Sequence, residues 1–166
     1  SSISFAISKF YDKYPMDLYA IANKGIVFTS DKDRNLMDKI RFSSLVKTDI
    51  APLVYPFTIE QLRQYFTKTE HTFIPVVNLQ QQVIGVVLWE NTKSSLLNET
   101  SIELDDLITS IKTFPKKSST RNVLRAMDQT KTDFVIVTTH NLYAGYALKK
   151  SILEAYRKNV KELRIE

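Results

Sequence analysis

Thr72-Phe73-Ile74-Pro75-Val76-Val77, then a polar linker, then Val83-Ile84-Gly85-Val86-Val87-Leu88 is the stretch that decides the fold, because the chain repeats it. It returns as Asp133-Phe134-Val135-Ile136-Val137-Thr138 followed by Tyr143-Ala144-Gly145-Tyr146-Ala147-Leu148. Gly85 and Gly145, where the matching strands are expected to turn, fix a period of 60 residues (145 − 85). β-Branched and aromatic residues dominate all four runs, so each copy reads as a strand pair, joined through Asn78 to Gln82 in the first and Thr139 to Asn141 in the second.

Outward from the strands, each copy carries helical patterns on both sides. Ahead lie Ile59, Leu62 and Phe66 in one copy and Val123, Leu124 and Met127 in the other, each set spaced to make one apolar stripe. Thr58 with Gln61 three residues on predicts a capping box, and Ser119 with Asn122 occupies the corresponding places. Behind the strands, the residues from Trp89 to Leu97 and from Lys149 to about Leu163 are helical in pattern, the latter with Ile152, Leu153, Tyr156 and Val160 on one face. Each copy is therefore β-α-β-β-α. Such a unit leaves one apolar sheet face bare, and a second copy can cover it, which gives an α+β fold of two units packed through their sheets. Residues 1–40 stand outside the repeat as a lead-in, with helices expected from Asp17 to Asn23 and from Asp31 to Ile40; the copies span 41–98 and 99–166.

In this order of elements, with Ile74-Pro75-Val76-Val77 and Gly85 placed as they are, the chain resembles the CBS domain, which usually occurs as tandem pairs docked through their sheets. The second copy has Ile136 where the first has Pro75. The flanks narrow the resemblance. Ile7-Ser8-Lys9-Phe10, Leu18-Tyr19-Ala20, Lys24-Gly25 and the run from Gly145 to Lys158 look like the cytoplasmic tail of bacterial ClC-type chloride channels. That resemblance implies a regulatory and dimerising module that catalyses nothing. It implies a homodimer, attached to an upstream transmembrane chloride-channel domain of the same chain at the cytoplasmic face of the cell membrane. The absence of an initiator methionine fits such a fragment. The alternative is a CBS-pair adenine-nucleotide sensor attached to another protein.

In nucleotide-binding CBS pairs, the strand-to-helix corner supplies a hydroxyl for phosphate and an aspartate for the ribose. Here Gly85 is followed by Leu88 and Asn91 at those places, and Gly145 by Leu148 and Ser151. Losing a charge-assisted hydrogen bond costs about 1.5 to 3 kcal/mol, roughly ten- to a hundred-fold in affinity. No cofactor is therefore expected. Any residual adenine contact would fall on His71, Thr72, Phe73, Asn91 and Ser151. Pro75, Gly85 and Gly145 are expected to be structural.

Composition removes other classes. Three glycines in 166 residues, none close to another, cannot form a P-loop or a dinucleotide-binding fingerprint. There is no cysteine, which excludes disulfides and thiolate zinc sites and weakly favours a reducing compartment, and His71 and His140 lie a full repeat apart. No metal site is expected. Asp31 and Asp33 resemble the start of a calcium loop, but Leu36 and Phe42 stand where glycine and glutamate would be needed, so a helix start is the better reading. Glu103, Asp105 and Asp106 alternate with Leu104 and Leu107 as the solvated face of a short amphipathic segment. The net charge of +5 is spread along the chain, and the exposed aromatic and glycine motifs of RNA modules are missing, so no nucleic-acid partner is expected. No run is long and apolar enough for a membrane helix, and no signal peptide opens the sequence. Two readings stay open for Trp89, a cover for the sheet end or an anchor between copies. They stay open as well for Arg157, Lys158, Lys161 and Arg164 on the last helix, an ordinary solvated face or one turned to anionic lipid.

Overall fold

A computed structural model describes residues 31–98 and 103–165. Helix α1 (Asp31–Asp38) and a single 3-10 turn (Phe42–Leu45) precede the first copy, which runs β1 (Leu53–Val54), α2 (Ile59–Lys68), β2 (Phe73–Val77), β3 (Val83–Leu88) and α3 (Trp89–Asn98). A short helix α4 (Leu104–Leu107) and strand β4 (Ile108–Thr109) follow. The second copy then runs β5 (Thr113–Pro115), α5 (Thr120–Thr130), β6 (Phe134–Thr139), β7 (Leu142–Leu148) and α6 (Lys149–Ile165). Both copies thus show β-α-β-β-α. No described helix is long and apolar enough to cross a membrane.

The helix starts follow the capping chemistry read from sequence. The Gln61 amide donates to Thr58 Oγ1 at 3.1 Å and the Thr58 amide donates to Gln61 Oε1 at 2.9 Å, a complete capping box. At α5 the Asn122 amide donates to Ser119 Oγ at 3.3 Å, while the Asn122 side-chain oxygen accepts from Arg125 instead of returning to the cap. The sequence correspondence is therefore complete in one copy and half complete in the other. Lys131 ends α5 in the left-handed region at φ 57°, which lets the Thr132 amide reach back to the Met127 carbonyl at 3.0 Å.

One sheet has the order β1-β2-β3-β4 and the other β5-β6-β7. β1 lies parallel to β2, and β2 and β3 form an antiparallel pair in which a register shift between Val76 and Val77 leaves Ile84 as an extra residue. The proline difference between copies has a place in this register. β1 begins pairing at Val76, one residue beyond Pro75, whereas β5 already pairs at Ile136, the matching position. An N–H is lost at less cost just outside a ladder than within one.

The expectation that the strands turn at Gly85 and Gly145 is corrected: both glycines lie inside β3 and β7, and the reversals fall in the linkers. Asn78 closes the first, its Oδ1 accepting from the Gln80 and Gln82 amides at 2.9 Å each, and His140 and Asn141 make the second with φ of 53° and 66°. Gly85 is required for another reason. A Cβ there would sit 2.5 Å from the Thr109 carbonyl oxygen and 2.7 Å from Ile108 Cγ2, so its bareness is what lets β4 pair with Val86 and Val87. Residues 108 and 109, assigned from sequence to the second copy, complete the first copy's sheet.

The chain folds as two compact units, neither continuous in sequence. One contains residues 47–116 and 136–146. Its core gathers Leu53, Phe57, Leu62, Ile74, Val76, Val87 and Leu107, with Phe66 and Trp89 tilted together at 5.0 Å on its flank. Trp89 therefore packs at the sheet end. The acidic run behaves as a solvated face, with Glu103, Asp105 and Asp106 exposed and Leu107 buried.

The described part of the other unit comprises residues 31–46, 117–135 and 147–165. Here α1, α5 and α6 pack on one another through Leu36, Met37, Val123, Leu124, Met127, Ile152 and Tyr156. Thr120 Oγ1 donates to the Ile40 carbonyl at 2.6 Å, and Lys149 pairs with Asp128 at a largely buried contact. The helix expected over 31–40 is thus present and structural. The expected helix from Asp17 to Asn23, and the lead-in residues that carry the channel resemblance, lie outside the described residues.

Candidate functional site

Residues 47–52 enter β1 as an irregular strap, and tyrosines from two elements hold it. Lys47 and Tyr146 exchange backbone hydrogen bonds at 2.8 and 3.0 Å, an isolated antiparallel bridge that lays the strap against β7. Along the strap, Asp49 Oδ1 accepts from the Tyr146 phenol at 2.6 Å, the Ile50 carbonyl accepts from Tyr143 at 2.8 Å, and the Pro52 carbonyl accepts from Tyr65 at 3.2 Å. Gln81 and Gln82 of the first hairpin meet the other end of β7, the Tyr143 amide donating to the Gln81 carbonyl at 3.1 Å.

His71 closes this arrangement. Its ring stands edge-on to Tyr146 at 5.3 Å and 5.9 Å from Phe73, which in turn meets Tyr146 at 5.5 Å and 74°. Such edge contacts are the favoured geometry for rings with opposed face and edge charge. His71 Nε2 lies 3.2 Å from the Tyr146 phenol oxygen and 3.7 Å from Asp49 Oδ2. Because the one phenolic proton is given to Asp49, Nε2 must carry a hydrogen to bond the phenol oxygen.

Electrostatics follow from those contacts. The Tyr146 phenol bonded to its carboxylate holds Asp49 below the usual carboxylate range. Burial, and then the bond to Asp49, push the Tyr146 phenol well above the usual tyrosine range; burial and the charge of Asp49 do the same for Tyr143. The sign follows directly. A depressed Asp49 stabilises the fold above an ordinary carboxylate value near 4 and loses that contribution on acidification. Raised tyrosines stabilise it below about 10 and lose that contribution as pH rises further. Alkaline titration is therefore expected to show a late tyrosinate absorbance step that coincides with loss of secondary structure. A step in which Tyr143 and Tyr146 ionise while the circular dichroism stays native would contradict this.

Of the residues singled out from sequence for adenine contact, the structure brings His71, Thr72 and Phe73 together at the start of β2. His71 is half-buried, Thr72 exposed and Phe73 buried. The Thr72 carbonyl accepts from the Trp89 amide at 2.8 Å, which sets the first turn of α3 beside this corner, with Asn91 exposed in it. The second copy repeats that bond from the Lys149 amide to the Asp133 carbonyl, also at 2.8 Å. Ser151, half-buried in the first turn of α6, belongs to the other compact unit. Asp49, Tyr65, Tyr143 and Tyr146 were not singled out. The signal for two of them lay in the repeat itself, where Tyr143 and Tyr146 replace Val83 and Val86. Among the described residues, no three His, Asp or Glu side chains are placed to hold a metal ion.

No family model matches the sequence, and no curated protein matches it. Solved structures do. The CBS domain of a putative transporter from Clostridium difficile 630 superposes with a TM-score of 0.63 at 18% identity, over 77% of this chain and 98% of that one. A CBS domain protein from Shewanella oneidensis MR-1 gives 0.60 at 20% identity, over 68% and 94%. The CBS domain of a bacterial CNNM/CorC family Mg2+ transporter in complex with ATP gives 0.62 at 12% identity, over 76% and 93%. At these identities the likeness is one of fold. The chain has the α+β architecture of a CBS domain pair.

Proposed function

We propose that this chain is a non-catalytic regulatory CBS pair of a membrane transport protein, and specifically of a ClC-type chloride channel or transporter. It acts through its own packing, as a homodimer at the cytoplasmic face of the membrane, on a transmembrane domain that precedes it in the same chain. Transporter CBS domains stand among the structures it resembles, and the channel-like flanks supply the narrower reading.

The observation that carries a packing role over a ligand-sensing one is the occupancy of the corner. Leu88 and Asn91 leave it without the hydroxyl and carboxylate a nucleotide would need, and the rings of His71 and Phe73 are engaged with Tyr146. In chloride-flux measurements on the full-length protein in liposomes, deleting the CBS pair is expected to change gating or turnover. Unaltered flux, or a hydrophilic domain in place of long apolar spans ahead of Ser1, overturns the channel reading.

Adenine-nucleotide sensing is the second reading, favoured by the ATP complex of a structurally similar transporter domain. Calorimetric titration of this chain with ATP, ADP and AMP at millimolar ligand is expected to give no saturable heat. Saturable heat would replace the packing reading with the sensor one.

A further inference from the structure

The strap at residues 47–52 follows directly on the segment that carries α1 and leads into β1. We propose that the strap is a proton-controlled latch, tightened against β7 when His71 is protonated and loosened when it is neutral. This stands apart from the transport reading, since it concerns only how firmly this chain holds its own strap.

The geometry specifies the switch. With Tyr146 donating to Asp49 Oδ1, the neutral imidazole can offer a single N–H to the phenol oxygen at 3.2 Å. The imidazolium keeps that bond and adds an attraction to Asp49 Oδ2, 3.7 Å away, while the ring keeps its contacts with Phe73 and Tyr146. Among the described residues, few other groups compete. β2 contributes the Phe73 ring, Thr69 Oγ1 accepts the backbone N–H of His71, and Tyr65 and Tyr143 spend their phenols on strap carbonyls. Lys47 on the strap, and Lys68 and Glu70 near His71 in the chain, are exposed. Histidine is the side chain whose ordinary titration falls in the range cells visit, near 6.5.

Hydrogen exchange on the whole chain, corrected for intrinsic rates, tests the latch at about pH 5.5 and about pH 7.5, either side of that value. The Lys47 and Tyr146 amides, which form the bridge, are expected to be about two- to five-fold better protected at the lower pH, the range of a solvent-accessible ion pair. His71→Gln and Asp49→Asn should each abolish the difference, and neither removes a core side chain. Equal protection at both pH values, persistence of the difference in His71→Gln, or an equal change at the core amides of Ile74 and Val76 would overturn the proposal.

Discussion

Replacing Gly85 with alanine is expected to unseat β4 and lower stability by about 2–4 kcal/mol, the sum of overpacking and backbone strain. The added Cβ meets the Thr109 carbonyl oxygen at 2.5 Å and Ile108 Cγ2 at 2.7 Å. The first of these is main chain and cannot rotate away. Relief requires β4 to leave Val86 and Val87, and with it α4, which places Leu107 in the core. Urea unfolding reads the loss directly, and exchange at residues 107–109 should rise with it. Ile84→Ala, on an exposed neighbour, serves as the control and should change stability by no more than about 0.5 kcal/mol. A Gly85→Ala loss below about 1 kcal/mol would show that the sheet accepts the contact by a small shift.

The second large effect falls on Tyr146, which is fully buried although it ends in a phenol. Tyr146→Ala is expected to cost about 3–5 kcal/mol, as for other large buried rings, because Phe73 and His71 lose the ring they pack on. Tyr146→Phe should cost only about 0.5–1.5 kcal/mol, since it keeps the ring and removes one hydrogen bond to an exposed carboxylate that water can solvate. The pair separates filling from bonding. If Phe proves as damaging as Ala, the phenol rather than the ring holds the strap; if Ala is nearly silent, the cluster contributes nothing to the fold.

Much of this fold was legible because it repeats. Two copies of one pattern, each with its own cap and apolar stripe, gave independent readings of the same unit, and the helix starts at Thr58 and Ser119 fell where a side-chain oxygen could satisfy first-turn amides. The candidate site was less legible. His71 and Phe73 stand out through their place at the start of β2, but Asp49 sits in an irregular strap where no periodicity marks it, and Tyr65 reaches the strap's Pro52 carbonyl from a helix whose apolar stripe is defined by other residues. The roles of Gly85 and of residues 108–109 were also hidden, since a strand glycine looks alike whether it turns the chain or admits a neighbour.

Local units were already set by residue order: the β-α-β-β-α pattern, the linkers between the strands of each pair, and corners with Leu88, Asn91, Leu148 and Ser151 in place of the hydroxyl and carboxylate of nucleotide-binding pairs. These depend on interactions over a few residues, or on residue identity alone. Long-range packing alone places β4 in the first sheet over Gly85, sets α1 on the second copy's helices, and lets Tyr146 bring Asp49 and His71 to one point. Those outcomes join residues 24 to 123 positions apart, from Gly85 and Thr109 to Leu36 and Asn159. Contacts at such separation are fixed by which surfaces fit when the elements pack, and no local pattern encodes that fit.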